Sequence, residues 1–212
     1  MTVPDLELII KTCYENDIMI LSDEVYQTNV YKEGAVFMSM RHVLSDMGAP
    51  YDKAVELVSF NSISKGQMGE CGLRGGYFET HNLSPQAEEL VFKLKSIELC
   101  GNTIGQTGVE LMVNPPMLGV ESVDTVTKYL NEYSELHGEL RRKAKMLTST
   151  FNQMSNVTCT EIEGAMYGFP RVHFSQKFIQ EAKDVGKEPD FLYCMDMVNQ
   201  TGIMTVPGSG FK

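Results

Sequence analysis

The residues best suited to chemistry lie in one glycine-rich stretch, residues 62–77, which reads SISKGQMGECGLRGGY. Its single lysine, Lys65, follows Ser62 and Ser64 and precedes Arg74 by nine residues. Serine hydroxyls and a guanidinium bind phosphate well, the guanidinium through two parallel charge-assisted hydrogen bonds. Glycines let the backbone approach a phosphate closely. The stretch therefore predicts a phosphate-binding loop that carries one amine.

A second candidate is Asp23, in the segment LSDEVYQ, with Tyr26 three residues later. An aspartate in such a position is usually a helix cap or a turn residue, so Asp23 alone indicates little. Ser-x-Ser-Lys alone also matches by chance, whereas the full string with its arginine and glycines is much more specific. The residue after Asp23, Glu24, is interpreted as solvent-facing or structural.

Both segments follow short apolar runs that predict strands buried on both faces. The first run, residues 18–21, stops at Ser22-Asp23, and the second, residues 55–60, stops at Asn61-Ser62. A third, glycine-rich run at residues 72–78 predicts another strand. Open α/β sheets place ligand sites outside the carboxyl ends of their strands, where Asp23 and Lys65 both fall.

Helical spacing of apolar residues predicts the remaining framework, which is a layered α/β region followed by a smaller α+β region. The break Asn114-Pro115-Pro116 separates the two regions, and a long polar helix at about residues 120–154 follows it. Other helices are predicted at residues 4–16, 84–99, 103–113, 175–185 and 189–201. Later strands are predicted at residues 157–161, 166–173 and 203–206.

Composition narrows the classes of function. The formal net charge of -10 argues against non-specific nucleic-acid binding, which needs clustered lysines and arginines. No apolar stretch approaches the roughly 20 residues of a membrane helix. Five widely spaced cysteines favour a reducing compartment over a disulfide framework. The four histidines lack metal-ligand spacing, so no metal site is predicted.

Together, SDEVYQ and SISKGQMGECGLRGGY resemble the aspartate–tyrosine and lysine–arginine motifs of fold-type I aminotransferases. The strings PYDKAVELVSFNSISKG, EGAMYGFPRV and GIMTVPGSGF extend the likeness over nearly the whole chain, and it is strongest to the alanine aminotransferase family. The resemblance implies an α/β fold with a partial three-layer α/β/α large domain at residues 1–118. A smaller α+β domain would follow at residues 119–212, beginning with an interdomain helix.

The resemblance also implies roles for residues around the cofactor, pyridoxal 5'-phosphate. Lys65 would form a Schiff base with the cofactor aldehyde and would later move a proton between substrate and cofactor. Asp23 would pair with the pyridine nitrogen and keep it protonated. Tyr26 would donate a hydrogen bond to the phenolic oxygen of the ring.

Arg74, with Ser62 and Ser64, would hold the cofactor phosphate. The implied reaction transfers an amino group between L-alanine and 2-oxoglutarate, giving pyruvate and L-glutamate. The implied setting is a cytoplasmic homodimer, or a mitochondrial one, with no nucleic-acid or membrane partner. Glutamate:glyoxylate transamination stays open as an alternative, as does a non-catalytic truncated relative.

Two parts of the family pattern are expected outside this sequence. The glycine-rich phosphate loop, the ring-stacking aromatic residue and the asparagine near the phenolic oxygen would precede Asp23. The arginine that binds the substrate α-carboxylate would follow VPGSGF. The sequence is therefore expected to be the fragment of a longer enzyme. It is expected to be inactive alone, because the substrate would lose a bidentate contact and its orientation.

Overall fold

The computed structural model describes residues 1–211, and the chain divides into two compact units. The first comprises residues 1–143 with residues 163–166, and the second comprises residues 144–162 with the chain from Tyr167 onward. Within the described residues, no helix combines the length and the apolar character that crossing a bilayer requires. The predicted domain boundary after residue 118 stays a prediction.

A three-stranded sheet lies at the centre of the first unit. Strand β1 (Ile20–Asp23) pairs in parallel with β2 (Leu57–Ser62), and β2 pairs antiparallel with β3 (Gly76–His81), in the order β1-β2-β3. Ile20 lies opposite Leu57 and Asp23 opposite Phe60. Because β1 and β2 run in parallel, their carboxyl ends meet at one edge of the sheet, and the lysine-bearing loop connects β2 to β3.

Helices α1 (Val3–Glu15), α2 (Met40–Met47) and α3 (Tyr51–Ala54) pack together in the first unit and form a core with the sheet. Helix α1 begins with a capping box, in which Thr2 and Asp5 satisfy each other's backbone N–H groups. The core consists of eight buried apolar residues: Leu6, Ile10, Ile20, Met40, Val43, Leu44, Val55 and Leu57.

Two helices follow the sheet, α4 (Pro85–Ile97) and α5 (Thr103–Val113), and then the long α6 (Val123–Gln153). Helices α4 and α6 begin within three residues of their predicted first residues, and α5 spans its predicted range. Each of α4 and α5 begins at a side-chain cap, Ser84 and Asn102 respectively. The apolar side chains of α4 are largely exposed: Leu90, Phe92, Leu94 and Ile97.

The second unit contains a two-stranded antiparallel pair, β4 (Val157–Thr158) and β5 (Arg171–Val172), with helices α7 (Gln176–Asp184) and α8 (Pro189–Thr201). A 3-10 turn, Gly208–Phe211, follows α8. Asp190 in the first turn of α8 accepts a 2.6 Å hydrogen bond from the backbone N–H of Ser209. This carboxylate therefore fastens the terminal turn to the start of α8.

Several predictions about strands were wrong in detail. Leu21 is 61% exposed whereas Ile20 is buried, so β1 buries one face rather than both. The third strand begins at Gly76 rather than Gly72, because a 3-10 turn (Cys71–Leu73) precedes it. Residues 203–206 form no strand. Helices α2 and α3 were not predicted.

Leu44 is fully buried in the core, so its truncation should leave a cavity there. We expect Leu44→Ala to lower the free energy of unfolding by about 2–5 kcal/mol in urea denaturation. The control is Leu90→Ala on α4, where the side chain is 61% exposed. We expect that change to cost about 0.5 kcal/mol or less. Equal losses in the two variants would contradict the assignment of the core.

Stability of the second unit should depend on pH through Asp190. Burial alone would raise the pKa of Asp190, but hydrogen bonds from the backbone N–H groups of Ser209 and Phe191 outweigh it, and the pKa lies below its ordinary value. A lowered carboxyl pKa adds stability above the unfolded-state value of about 3.9, and this stability is lost as the pH falls through the folded-state pKa. We therefore expect Asp190→Asn to be destabilising at pH 7 and nearly neutral at the lowest pH at which the chain folds. A pH-independent difference in urea denaturation would refute this.

Candidate functional site

Strand β1 delivers Asp23 to the edge of the sheet. The strand pairing continues one residue further, because the backbone N–H of Glu24 donates to the carbonyl of Phe60 at 3.0 Å. The Asp23 side chain is exposed, and its Oδ1 accepts a long hydrogen bond, 3.4 Å, from the backbone N–H of Val25. The chain then turns through Tyr26, which is half-buried. Asp23 and Tyr26 therefore leave the sheet on one short turn.

The loop between β2 and β3 carries Lys65 and is closed by backbone hydrogen bonds. The N–H of Ile63 donates to Gly75 at 3.2 Å, and the N–H of Glu70 donates to Ile63 at 2.9 Å. Ile63 is fully buried, which fixes the start of the loop. Lys65 is exposed, and its Nζ has no hydrogen bond or ion pair with any residue from 1 to 211. The loop thus presents a free amine on a fixed backbone.

The residues predicted to bind phosphate lie together in this loop. Ser62 Oγ donates to the Gly75 carbonyl at 3.2 Å and accepts from the backbone N–H of Ser64 at 3.0 Å. Arg74 Nη1 donates to Ser64 Oγ at 3.4 Å and to the Cys71 carbonyl at 3.0 Å. Within residues 1–211 no carboxylate forms an ion pair with Arg74, so its charge is not neutralised there. The Arg74 guanidinium and the Ser64 hydroxyl can therefore donate to an anion, whereas Ser62 here donates its hydroxyl proton to Gly75 and supports Ser64.

The Arg74 backbone adopts the left-handed conformation, with φ 54° and ψ 47°. That conformation is costly for a residue with a Cβ, and it persists only where the surrounding structure imposes it. Here the 3-10 turn before it and the pairing of Gly76 with Ser62 after it fix both ends. The strain at Arg74 accompanies the placement of its guanidinium beside Ser64.

The lysine loop lies against the turn that follows Asp23. Gly66 has φ +63°, and a Cβ built on it would lie 3.2 Å from Thr28 Oγ1 and 3.3 Å from the Val25 carbonyl oxygen. Glycine is thus favoured at position 66 both by its backbone conformation and by the close approach. The structure in this way brings the loop with Ser62, Ser64, Lys65 and Arg74 to the turn with Asp23 and Tyr26.

Sequence patterns alone did not identify the support that helix α5 gives this loop. A Cβ on Gly105 would lie 2.7 Å from the Leu73 carbonyl oxygen and 2.9 Å from that of Arg74. Asn102 Nδ2, at the N-terminus of the same helix, donates to the Leu73 carbonyl at 2.5 Å. Gly108, one turn later, faces Ile63 and Leu73. The available signal was the three-residue spacing of the glycines, which places them on one helix face.

The chemistry of these donors fits pyridoxal 5'-phosphate. Arg74 and the Ser64 hydroxyl are suited to its phosphate, the Lys65 amine to its aldehyde and the Asp23 carboxylate to its protonated ring nitrogen. No group of three or more histidine, cysteine, aspartate or glutamate side chains that could hold a metal ion occurs in the part of the chain described. All five cysteines are free thiols.

Comparison with protein families finds a match over residues 1–212 to the model described as aminotransferase class I and II. Glutamate–glyoxylate aminotransferase 1 of Arabidopsis thaliana is 46% identical over 203 residues, which cover 96% of this chain and 42% of the relative. Alanine aminotransferase 1 of Mus musculus is 41% identical over 206 residues, covering 97% and 41%. The chain thus spans about two fifths of the length of these curated relatives.

A relative from Dictyostelium discoideum, named "Probable alanine aminotransferase, mitochondrial", is 45% identical over 208 residues. These cover 98% of this chain and 38% of the relative. Among solved structures, alanine aminotransferase from Pyrococcus furiosus matches with a TM-score of 0.75 at 21% identity, covering 98% of this chain and 45% of the other. At that identity the structural match shows the fold alone. It confirms the predicted fold-type I aminotransferase architecture.

The close approach of α5 to the lysine loop predicts that a methyl group at Gly105 cannot be accommodated. We expect Gly105→Ala to lower the free energy of unfolding by about 1–3 kcal/mol, as overpacking does. The matched control is Gly138→Ala in α6, where a Cβ would meet nothing within 4 Å. There alanine should stabilise the helix by up to about 1 kcal/mol. The opposite signs can be checked by urea denaturation, and a neutral Gly105→Ala would show that the loop does not rest on α5.

Proposed function

Because this chain belongs to the class I and II aminotransferase family, we propose that the protein carrying it transfers an amino group between L-alanine and 2-oxoglutarate. The products are pyruvate and L-glutamate. The names of the relatives from mouse and Dictyostelium support alanine as a substrate. The observation that carries the amino-transfer chemistry is the packing of Gly66, next to Lys65, against the turn that follows Asp23. The choice of alanine rests on the names of the relatives.

In this proposal the cofactor is pyridoxal 5'-phosphate, which supplies, when bound, a ring that accepts electrons from the substrate α-carbon. Arg74 and Ser64 bind its phosphate, the guanidinium as a charged donor and the hydroxyl as a neutral one. Ser62 keeps Ser64 in place by accepting the hydrogen bond of its backbone N–H. These contacts are anchors, and they bind and orient the cofactor without taking part in proton transfer.

Lys65 is the proposed catalytic residue. Within residues 1–211 its Nζ makes no hydrogen bond or ion pair that would have to break first. It would hold the cofactor at the aldehyde carbon, with loss of water, and once the substrate amine had displaced it, its free amine would take up and return a proton. Asp23 holds a proton on the ring nitrogen through its negative charge. Tyr26 would donate a hydrogen bond to the phenolic oxygen of the ring.

Glutamate:glyoxylate transamination is the second candidate. Its support is the Arabidopsis relative, whose 46% identity is no lower than that of the alanine aminotransferases. Both reactions use the same lysine, aspartate and phosphate anchors, so the residues of this site do not separate them. Turnover measured with alanine and 2-oxoglutarate, and separately with glutamate and glyoxylate, distinguishes the two.

We further propose that the protein acts as a homodimer in the cytoplasm. Five free cysteines fit a reducing compartment. The mitochondrion is the alternative compartment, supported by the name of the Dictyostelium relative. Sedimentation of the purified protein with the cofactor present measures the oligomeric state.

Covalent labelling tests the assignment of Lys65. The protein is incubated with pyridoxal 5'-phosphate and reduced with borohydride, and the modified peptides are mapped. We expect the label on Lys65. In the whole protein that carries this chain, we expect Lys65→Ala to abolish both this label and alanine-dependent pyruvate formation. The control is Lys53→Ala, which removes a lysine whose side chain is 78% exposed. That variant should keep the Lys65 label. If the label is instead spread over the lysines in proportion to their exposure, the assignment of Lys65 is wrong.

A further inference from the structure

Glu24, the residue after Asp23, is held at both ends. Its backbone N–H donates to the Phe60 carbonyl, and its carboxylate Oε1 accepts from Ser22 Oγ at 2.9 Å and from the backbone N–H of Met40 at 3.0 Å. The residue is half-buried rather than solvent-facing. Its side chain therefore links the end of β1 to the first residue of helix α2.

The α2 end of this link is rigid. Met40, Val43 and Leu44 of that helix are buried in the core, so the N–H group that Glu24 accepts from has a fixed position. An unpaired N–H at a helix N-terminus is also a favourable partner for a carboxylate, because the helix dipole is positive there. The contact thus fastens the chain just after Asp23 to the core.

The position of Glu24 also affects the Asp23 carboxylate, through hydrogen bonds of the backbone. The N–H of Val25, the residue after Glu24, donates to Asp23 Oδ1. The N–H of Gln27 donates to the Glu24 carbonyl at 3.0 Å, so the whole turn depends on where Glu24 lies. A shift of Glu24 would move both the donor that orients Asp23 and the Val25 carbonyl against which Gly66 packs.

We propose that Glu24 is a positioning residue that fixes the turn orienting the Asp23 carboxylate, by joining β1 to helix α2. Its consequence for cofactor binding rests on the proposed function, whereas the contact itself does not. Glu24 acts here as an acceptor of hydrogen bonds. A neutral acceptor of the same shape should therefore replace it, and a methyl group should not.

The first measurement needs no cofactor. Amide hydrogen exchange is followed at Met40 and Val25 in the wild type, Glu24→Ala and Glu24→Gln. In Glu24→Ala we expect exchange at both amides to accelerate by about tenfold or more. The Met40 N–H loses its acceptor, and the turn that contains Val25 can open without breaking that hydrogen bond. Glu24→Gln should exchange like the wild type, since its amide oxygen accepts both hydrogen bonds.

The matched control is Arg41→Met. Arg41 follows Met40 on α2 and forms a 2.7 Å ion pair with Glu79 of β3. Its loss removes another link between α2 and the sheet while leaving Glu24 untouched, and exposed pairs of this kind stabilise little. We expect exchange at Val25 to be unchanged in this variant. If Glu24→Ala does not fold, Ser22→Ala removes one of the two donors and should accelerate exchange at Val25 by a smaller factor.

The second measurement is the dissociation constant of pyridoxal 5'-phosphate, from its absorbance change. We expect it to rise about three- to tenfold in Glu24→Ala, the effect of losing one or two hydrogen bonds, and to stay near the wild-type value in Glu24→Gln and Arg41→Met. Wild-type exchange at Val25 in Glu24→Ala, or no rescue by Glu24→Gln, would overturn the inference. Absence of cofactor binding by the wild type would refute the proposed function alone, because the exchange data decide the role of Glu24 separately.

Discussion

The parallel pairing of β1 with β2 is the constraint on which the rest of the site depends. The register that sets Asp23 opposite Phe60 makes both strands end at the same edge of the sheet. Everything that follows β1 and everything that follows β2 must then leave from that edge. An antiparallel pairing of the same two strands would put Asp23 and the lysine loop at opposite ends of the sheet, about 20 Å apart for strands of this length.

Close contacts between backbone segments hold the lysine loop in a fixed position beside the turn that follows Asp23. Gly66 lets the lysine loop touch the turn after Asp23, and Gly105 lets helix α5 touch the other end of the same loop. Between these contacts, hydrogen bonds from Ile63 and Glu70 close the loop on itself. The loop is thereby held from two sides while the Lys65 amine stays exposed. Rigid backbone with an accessible reactive group is the arrangement that catalysis by positioning requires.

Polar contacts supply what packing cannot, which is the orientation of individual groups. Ser62 and Ser64 share a hydrogen bond, and Arg74 reaches Ser64 from a strained backbone position. After strand β1, Glu24 joins the turn that carries Asp23 to helix α2. Some of these anchoring residues are distant in sequence from the group they orient. Others are adjacent to it, but their side chains contact a different element. Both kinds are hard to recognise from a motif.

The sequence by itself determined the family, the candidate residues and the elements whose patterns are local. Helices α5 and α8 have their predicted bounds because capping residues, apolar spacing and proline or glycine signals all lie within the helix or beside it. The tertiary structure decided the rest. Residues 203–206 have the pattern of a strand but pair with no strand within residues 1–211, and Leu21 is exposed because packing covers only one face of β1. The short helix α2 and the fit of Gly105 against the loop depend on contacts between distant segments, which no local pattern records.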